Sequence, residues 1–162
     1  QLQSAKEIGT DLVFIRGHAG ARPKCYPYQD HIFSLSGKSK KYPYLYDPNY
    51  IKWGCTLGMP DGLFGINCGH KMIPYVEGQS DYMPLDMGKK QNDIVYQQSQ
   101  EQRRLERNIR NAKRQQMKYQ AVGDKEGALL WKQRVKESNN AMENFIASTE
   151  RKRRRNREKI YT

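Results

Sequence analysis

Apolar positions along residues 1–90 come in short runs cut by glycine and proline, whereas along residues 91–162 they recur at spacings of three and four. That change of period predicts an α+β protein in two parts: a small loop-rich lobe over 1–90 and a long basic antiparallel helical hairpin over 91–162. In the lobe, Leu12-Val13-Phe14-Ile15 is short enough to be either a strand or the end of a buried helix. Ile32, Phe33 and Leu35 belong to another short helix or strand, ended by Gly37, that packs beneath the loop before it. Lys71-Met72-Ile73-Pro74-Tyr75-Val76 reads as one more strand, stopped by Glu77-Gly78. Residues 37–50 form an exposed loop broken by Pro43 and Pro48. Gly54, Gly58, Gly62, Gly65 and Gly69 mark a backbone that turns tightly or closely approaches another group, and residues 78–90 are a linker.

In the second part, Asn92-Asp93 is a candidate N-cap for a helix running to about Ala121, with Leu105, Ile109 and Ala112 as a narrow apolar stripe. Gly123 suits the position after the helix end and Asp124 the next N-cap, so the chain is expected to reverse there. Leu130 or Trp131, then Val135, Met142, Phe145 and Ile146, share one face of the returning helix. Two helices of about 28 residues would each be about 40 Å long and would hide one seam apiece. The run Arg151-Lys152-Arg153-Arg154-Arg155-Asn156-Arg157 is too charged for a packed element and reads as a frayed helix end or a tail that orders on contact.

Composition narrows the possibilities. Only 36% of the 162 residues are hydrophobic, so a large core is excluded. The net charge of +12 is lopsided: residues 1–90 carry 11 Lys/Arg against 8 Asp/Glu, and residues 91–162 carry 18 against 9. A polyanion or an acidic protein surface would complement the second part, as would the solvent around a long helix of a larger assembly. No apolar run reaches the ~18 residues that span a bilayer, and no signal-peptide pattern opens the chain, so a soluble protein without a membrane partner is expected. Gln1 is not an initiator methionine, so a processed product or the ordered part of a longer polypeptide is expected. Three unevenly spaced cysteines, Cys25, Cys55 and Cys68, argue for a reducing compartment rather than a disulfide framework.

The least common side chains sit at the two ends of the stretch 17–70. His18, Cys25, Cys68 and His70 admit a Cys2His2 zinc site, although Cys68-Gly69-His70 is tighter than the usual ligand spacing and Cys25 has no close cysteine neighbour. The same groups serve equally as packing and hydrogen-bonding residues of a small lobe. Two catalytic arrangements are conceivable: a thiolate–imidazole pair of Cys25 or Cys68 with His18, His31 or His70, or a phosphodiester-cleaving set of His18, Arg22 and His70. No motif with a defined mechanism or cofactor is present. Lys38, Lys40, Lys41 and Lys52, interleaved with Tyr42, Tyr44, Tyr46, Tyr50 and Trp53, would suit stacking on single strands or packing on a neighbouring subunit. On the first long helix, Arg103, Arg107, Arg110 and Arg114 fall on one face through spacings of four, three and four. With Arg151, Arg153, Arg154 and Arg155 they are the candidates for contact with DNA or a protein partner.

Several blocks in order carry a resemblance: His18-Ala19-Gly20-Ala21-Arg22-Pro23; Tyr28-Gln29-Asp30-His31-Ile32-Phe33-Ser34-Leu35-Ser36-Gly37; Gly62-Leu63-Phe64-Gly65-Ile66-Asn67-Cys68-Gly69-His70 with Pro74-Tyr75; and the arm from Tyr96 to Arg110, closing on Arg157-Glu158-Lys159. Together they resemble the C-terminal part of tailed-phage minor capsid protein 2, itself distantly similar to the Mu F-like head-morphogenesis proteins. The family pattern has a histidine at the place of Cys25 and an arginine at the place of Gly69. The resemblance implies a structural protein of the phage head, in the host cytoplasm before assembly and in the virion after it. It implies several copies per particle at the portal protein or the major capsid protein, touching packaged double-stranded DNA. Some relatives of head-morphogenesis proteins carry effector domains, which makes a nuclease-like or nucleotide-modifying effector using His18, Arg22 and His70 the alternative.

Overall fold

The computed structural model describes residues 5, 7–47, 57 and 59–160. Three strands, β1 (Leu12–Arg16), β2 (His31–Ser34) and β3 (Lys71–Tyr75), make one antiparallel sheet in the order β2-β1-β3. β1 is central, which explains its unbroken apolar run. Val13 and Ile15 face a core with Phe33, Met72, Tyr28, Leu45 and Leu63, while Phe14 points to the other side and stacks on Tyr82 at 5.2 Å. A strand covered on both faces loses the alternation that would otherwise distinguish it from a helix. Register pairs Val13 with Phe33 and Pro74, and Ile15 with His31 and Met72.

Two expectations for this region need correction. The loop after Gly37 is not simply exposed: Leu45 is buried, Tyr44 bridges to Ser34, and the Lys41 ammonium is engaged by Glu77. Its tyrosines are partly packed, Tyr42 against Tyr75 and Tyr44 against Tyr46, while Tyr50, Lys52 and Trp53 lie outside the described residues. The stretch before the first long helix is likewise tied down, since Tyr82 Oη donates to Pro74 O at 2.9 Å and Tyr26 Oη to Met87 O at 3.0 Å.

Two long helices follow, α1 (Lys89–Ala121) and α2 (Lys125–Ala147), forming a hairpin. The reversal uses the expected residues: Gly123 has φ +76°, and the Asp124 carboxylate accepts from Gly127 N at 2.8 Å as N-cap. The start differs, because α1 begins at Lys89 and Asn92 lies inside it as a long-range tie. The buried Asn92 amide accepts from Ala21 N at 2.8 Å and donates to Ala21 O at 2.9 Å. Leu105 and Ile109 meet Met142, Phe145 and Ile146 in the hairpin seam. Toward the turn the seam opens, and Leu130 is exposed together with Leu129, Val122 and Met117. The contacts divide the chain into two compact units, Gln1–Tyr96 and Gln97–Thr162. Among the described residues no helix is long and apolar enough to cross a membrane.

Candidate functional site

In the first unit the loop after β1 and the glycine-rich loop before β3 bring most of the reactive side chains together. A tight turn, with Cys25 N and Tyr26 N both donating to Arg22 O, aims Cys25 into the core, where it is fully buried. In the other loop Leu63 is the buried anchor, and Gly65 passes so close to the chain that a Cβ there would lie 2.0 Å from Met59 O. Cys68 and His70 emerge from this loop with Sγ and Nδ1 3.3 Å apart. His70 Nε2 is 3.1 Å from Gln29 Oε1, and the His18 and His70 rings lie 4.5 Å apart. A hydrogen bond with Cys25, reinforced by burial, pushes the Cys68 thiol up to about 11, with His70 pulling the other way. A thiol held in its protonated form is a poor nucleophile at neutral pH.

Arg22 is occupied elsewhere. Its Nη1 donates to Asp61 O at 2.8 Å and its Nη2 to Ile66 O, so it braces the glycine-rich loop. Beside it Lys24 pairs with Asp61. A cleft of about 400 Å³ is lined by Arg16, His18, Gly69, Lys71 and Leu85. Of His18, Arg22 and His70, only His18 borders it. His31 stands apart, with Nδ1 on Gln29 O at 2.7 Å.

The second unit carries a different feature. Arg103, Arg107, Arg110 and Arg114 of α1 line a single cleft of about 420 Å³, joined by Arg157 and Lys159. The last two enter because the C-terminal segment is not the free tail its charge suggested. It folds back along the hairpin and ends in a 3-10 turn, Arg155–Glu158. Arg153 donates through Nε and Nη2 to both oxygens of the buried Glu158 at 2.8 and 2.7 Å, and also reaches Glu143 and Asn139. This bidentate bond holds the Glu158 carboxyl below the usual glutamate range. Arg154 pairs with buried Glu106 at 2.8 Å, Arg151 donates to Gln102 Oε1 at 2.8 Å, and Arg110 and Lys113 reach back to the carbonyls of Arg157 and Glu158. Of the five tail arginines, Arg151, Arg153 and Arg154 are therefore turned inward, and Arg155 and Arg157 are exposed.

The acids of this unit are largely spent on such bonds, with Glu101 on Arg104 and Glu137 on Arg134. Arg107 and Arg114 are exposed and have no ion-pair partner among the described residues. Arg103 Nε is shielded from solvent and meets no hydrogen-bond acceptor there. Helical spacing marked the four α1 arginines. Arg157 and Lys159 carried no local signal, because their place in the cleft depends on the folded tail.

Residues 1–147 match the phage minor capsid protein 2 family, and the chain belongs to that family. A structural protein of Lactococcus phage LL-H is 30% identical over 129 residues, covering 76% of this chain and 33% of that protein. A structural protein of Lactococcus phage mv4 is 32% identical over 84 residues, covering 52% of this chain and 63% of that protein. The similarity thus spans about a third of the first relative and under two thirds of the second. No solved structure matches. Family membership makes the chain a phage structural protein and a component of the virion.

Proposed function

We propose that this protein docks at the portal or the inner capsid wall through its hairpin and holds packaged double-stranded DNA with the arginines of the α1 cleft. One observation carries the reading: four arginines of one helical face, with Arg157 and Lys159, surround a single open cleft while the neighbouring acids are paired internally. Phosphate oxygens are the chemical complement of such a cleft, where the exposed guanidinium groups of Arg107 and Arg114 are without an ion-pair partner among the described residues. Docking is supported by Met117, Val122, Leu129 and Leu130, large apolar side chains exposed near the hairpin turn.

The test is the salt dependence of binding to duplex DNA. Arg107→Gln with Arg114→Gln removes two exposed cations that hold nothing else in place, so the log–log slope should fall by about 1.8, roughly 0.9 per lost contact. An unchanged slope would reassign the stripe to a protein partner. Reconstruction of the particle, masked on the portal vertex and the inner wall, locates the hairpin, and density on the outer capsid surface would refute the docking.

A further inference from the structure

The lobe holds a group of side chains that DNA contact and docking do not use. Cys25, Cys68 and His70 offer two sulfurs and a ring nitrogen, all within 4.8 Å of one another. Cys25 comes from the turn after β1 and Cys68 with His70 from the glycine-rich loop, so two chain segments meet on three ligand-type atoms.

Gln29 fixes which nitrogen of the imidazole donates. Its Oε1 accepts from the His18 backbone N–H at 3.2 Å, and turning the amide over would set its NH2 against that N–H. The oxygen that faces His70 Nε2 at 3.1 Å therefore accepts there as well, and His70 carries its proton on Nε2. Nδ1 is thereby the nitrogen free to serve as a ligand, and it faces Cys68 Sγ at 3.3 Å. A neutral imidazole whose second nitrogen donates to a fixed amide oxygen is how metal-bound histidines are held. His70 is also only 6% exposed, so this geometry is built into the interior.

The donor set selects the ion. Two sulfurs and an imidazole suit zinc, whereas calcium and magnesium require oxygen ligands. Ligand atoms on a tetrahedral zinc lie about 3.5–3.8 Å apart, given bonds of about 2.3 Å to sulfur and 2.0 Å to nitrogen. Cys68 Sγ and His70 Nδ1 are 3.3 Å apart, just short of that range, and all three ligand atoms fall within 4.8 Å of one another. We propose that Cys25 Sγ, Cys68 Sγ and His70 Nδ1 bind one zinc ion, with solvent in the fourth position. The ion would pin the glycine-rich loop to the turn after β1, and Gln29 is its positioning residue.

Cobalt(II) substitution on the whole, reduced protein tests this, because thiolate ligation gives sulfur-to-metal charge transfer and tetrahedral d–d bands. One equivalent of cobalt should produce both features, and zinc should displace it. Cys25→Ser or Cys68→Ser should lower the affinity at least 100-fold, Gln29→Leu about 10- to 100-fold with the thiolate bands retained, and His31→Ala should have no effect. Native mass spectrometry of the wild-type protein avoids dependence on variants that fail to fold: zinc should add the mass of one ion less the two thiol protons it displaces. The proposal is overturned if the wild-type protein shows no stoichiometric cobalt spectrum, or if zinc adds no bound ion to its mass. Retention of the bands in the Cys25, Cys68 double variant would also overturn it.

Discussion

Replacing Glu158 by Gln should release the C-terminal segment from the hairpin. Glu158 is 3% exposed and accepts two short bonds from Arg153, whose side chain is itself nine-tenths buried. Removing one member of a buried pair costs about 3–5 kcal/mol, mainly because its partner is left uncompensated. Glutamine keeps one acceptor oxygen, and Glu143 and Asn139 still touch Arg153, so the lower end, about 3 kcal/mol, applies. At about 1.4 kcal/mol per tenfold, the undocked population rises roughly 100-fold. The segment supplies its own readout, because Arg151, Lys152, Arg153, Arg154, Arg155 and Arg157 are all tryptic sites. At low trypsin, cleavage tracks the open population, so initial nicking of the whole protein should accelerate about 100-fold while helicity is retained. Rates within threefold of wild type would refute the claim that this ion pair holds the tail. The same bond fixes a pH dependence. Because Glu158 titrates below its ordinary range, its contribution is fully present above the unfolded glutamate pKa of about 4.3 and disappears as pH falls through the lowered native value. Hydrogen exchange at the Arg157 amide, which bonds Arg154 O at 2.9 Å, should lose protection in that acid window and not above it.

Asn92→Ala should destabilise the first unit by about 3 kcal/mol, since it strands the buried N–H and carbonyl of Ala21 together; an unchanged urea midpoint would rule this out. Gly65→Ala sets a Cβ against the carbonyls of Met59 and Pro60, and a cost of about 2 kcal/mol would lower the thermal midpoint of the first unit by roughly 10 °C. Wild-type melting of that variant would show that the loop relaxes freely.

Short-range rules carried the hairpin. Gly123 and Asp124 act within four residues of themselves, so their roles could be read without knowing the fold. β1 was legible as an element but not as a type, because burial of both Val13 and Phe14 erases the period that separates strand from helix. Asn92 misled for a related reason: its amide offers a backbone the same donor and acceptor whether that backbone is adjacent or is Ala21 on another segment. The tail misled because its charge is balanced by Glu106 and Glu143, which only the folded hairpin brings within reach. Cys25, Cys68 and His70 were named, with His18, from their residue types, and spacing could not group them because Cys25 comes alone from a separate turn.

A three-stranded sheet has two free margins, and each invites another chain to add a strand. Here both are blunted. On β3, Pro74 pairs inward with Val13 and has no N–H to present on its outer side. On β2, Ser34 N donates to Pro43 O and Leu45 N to Ser34 O, so the returning loop takes up the end of that margin. Copies of this protein crowded together would therefore have little means of polymerising through their sheets, and higher-order contacts would fall to side chains, where geometry can restrict them to the intended neighbour.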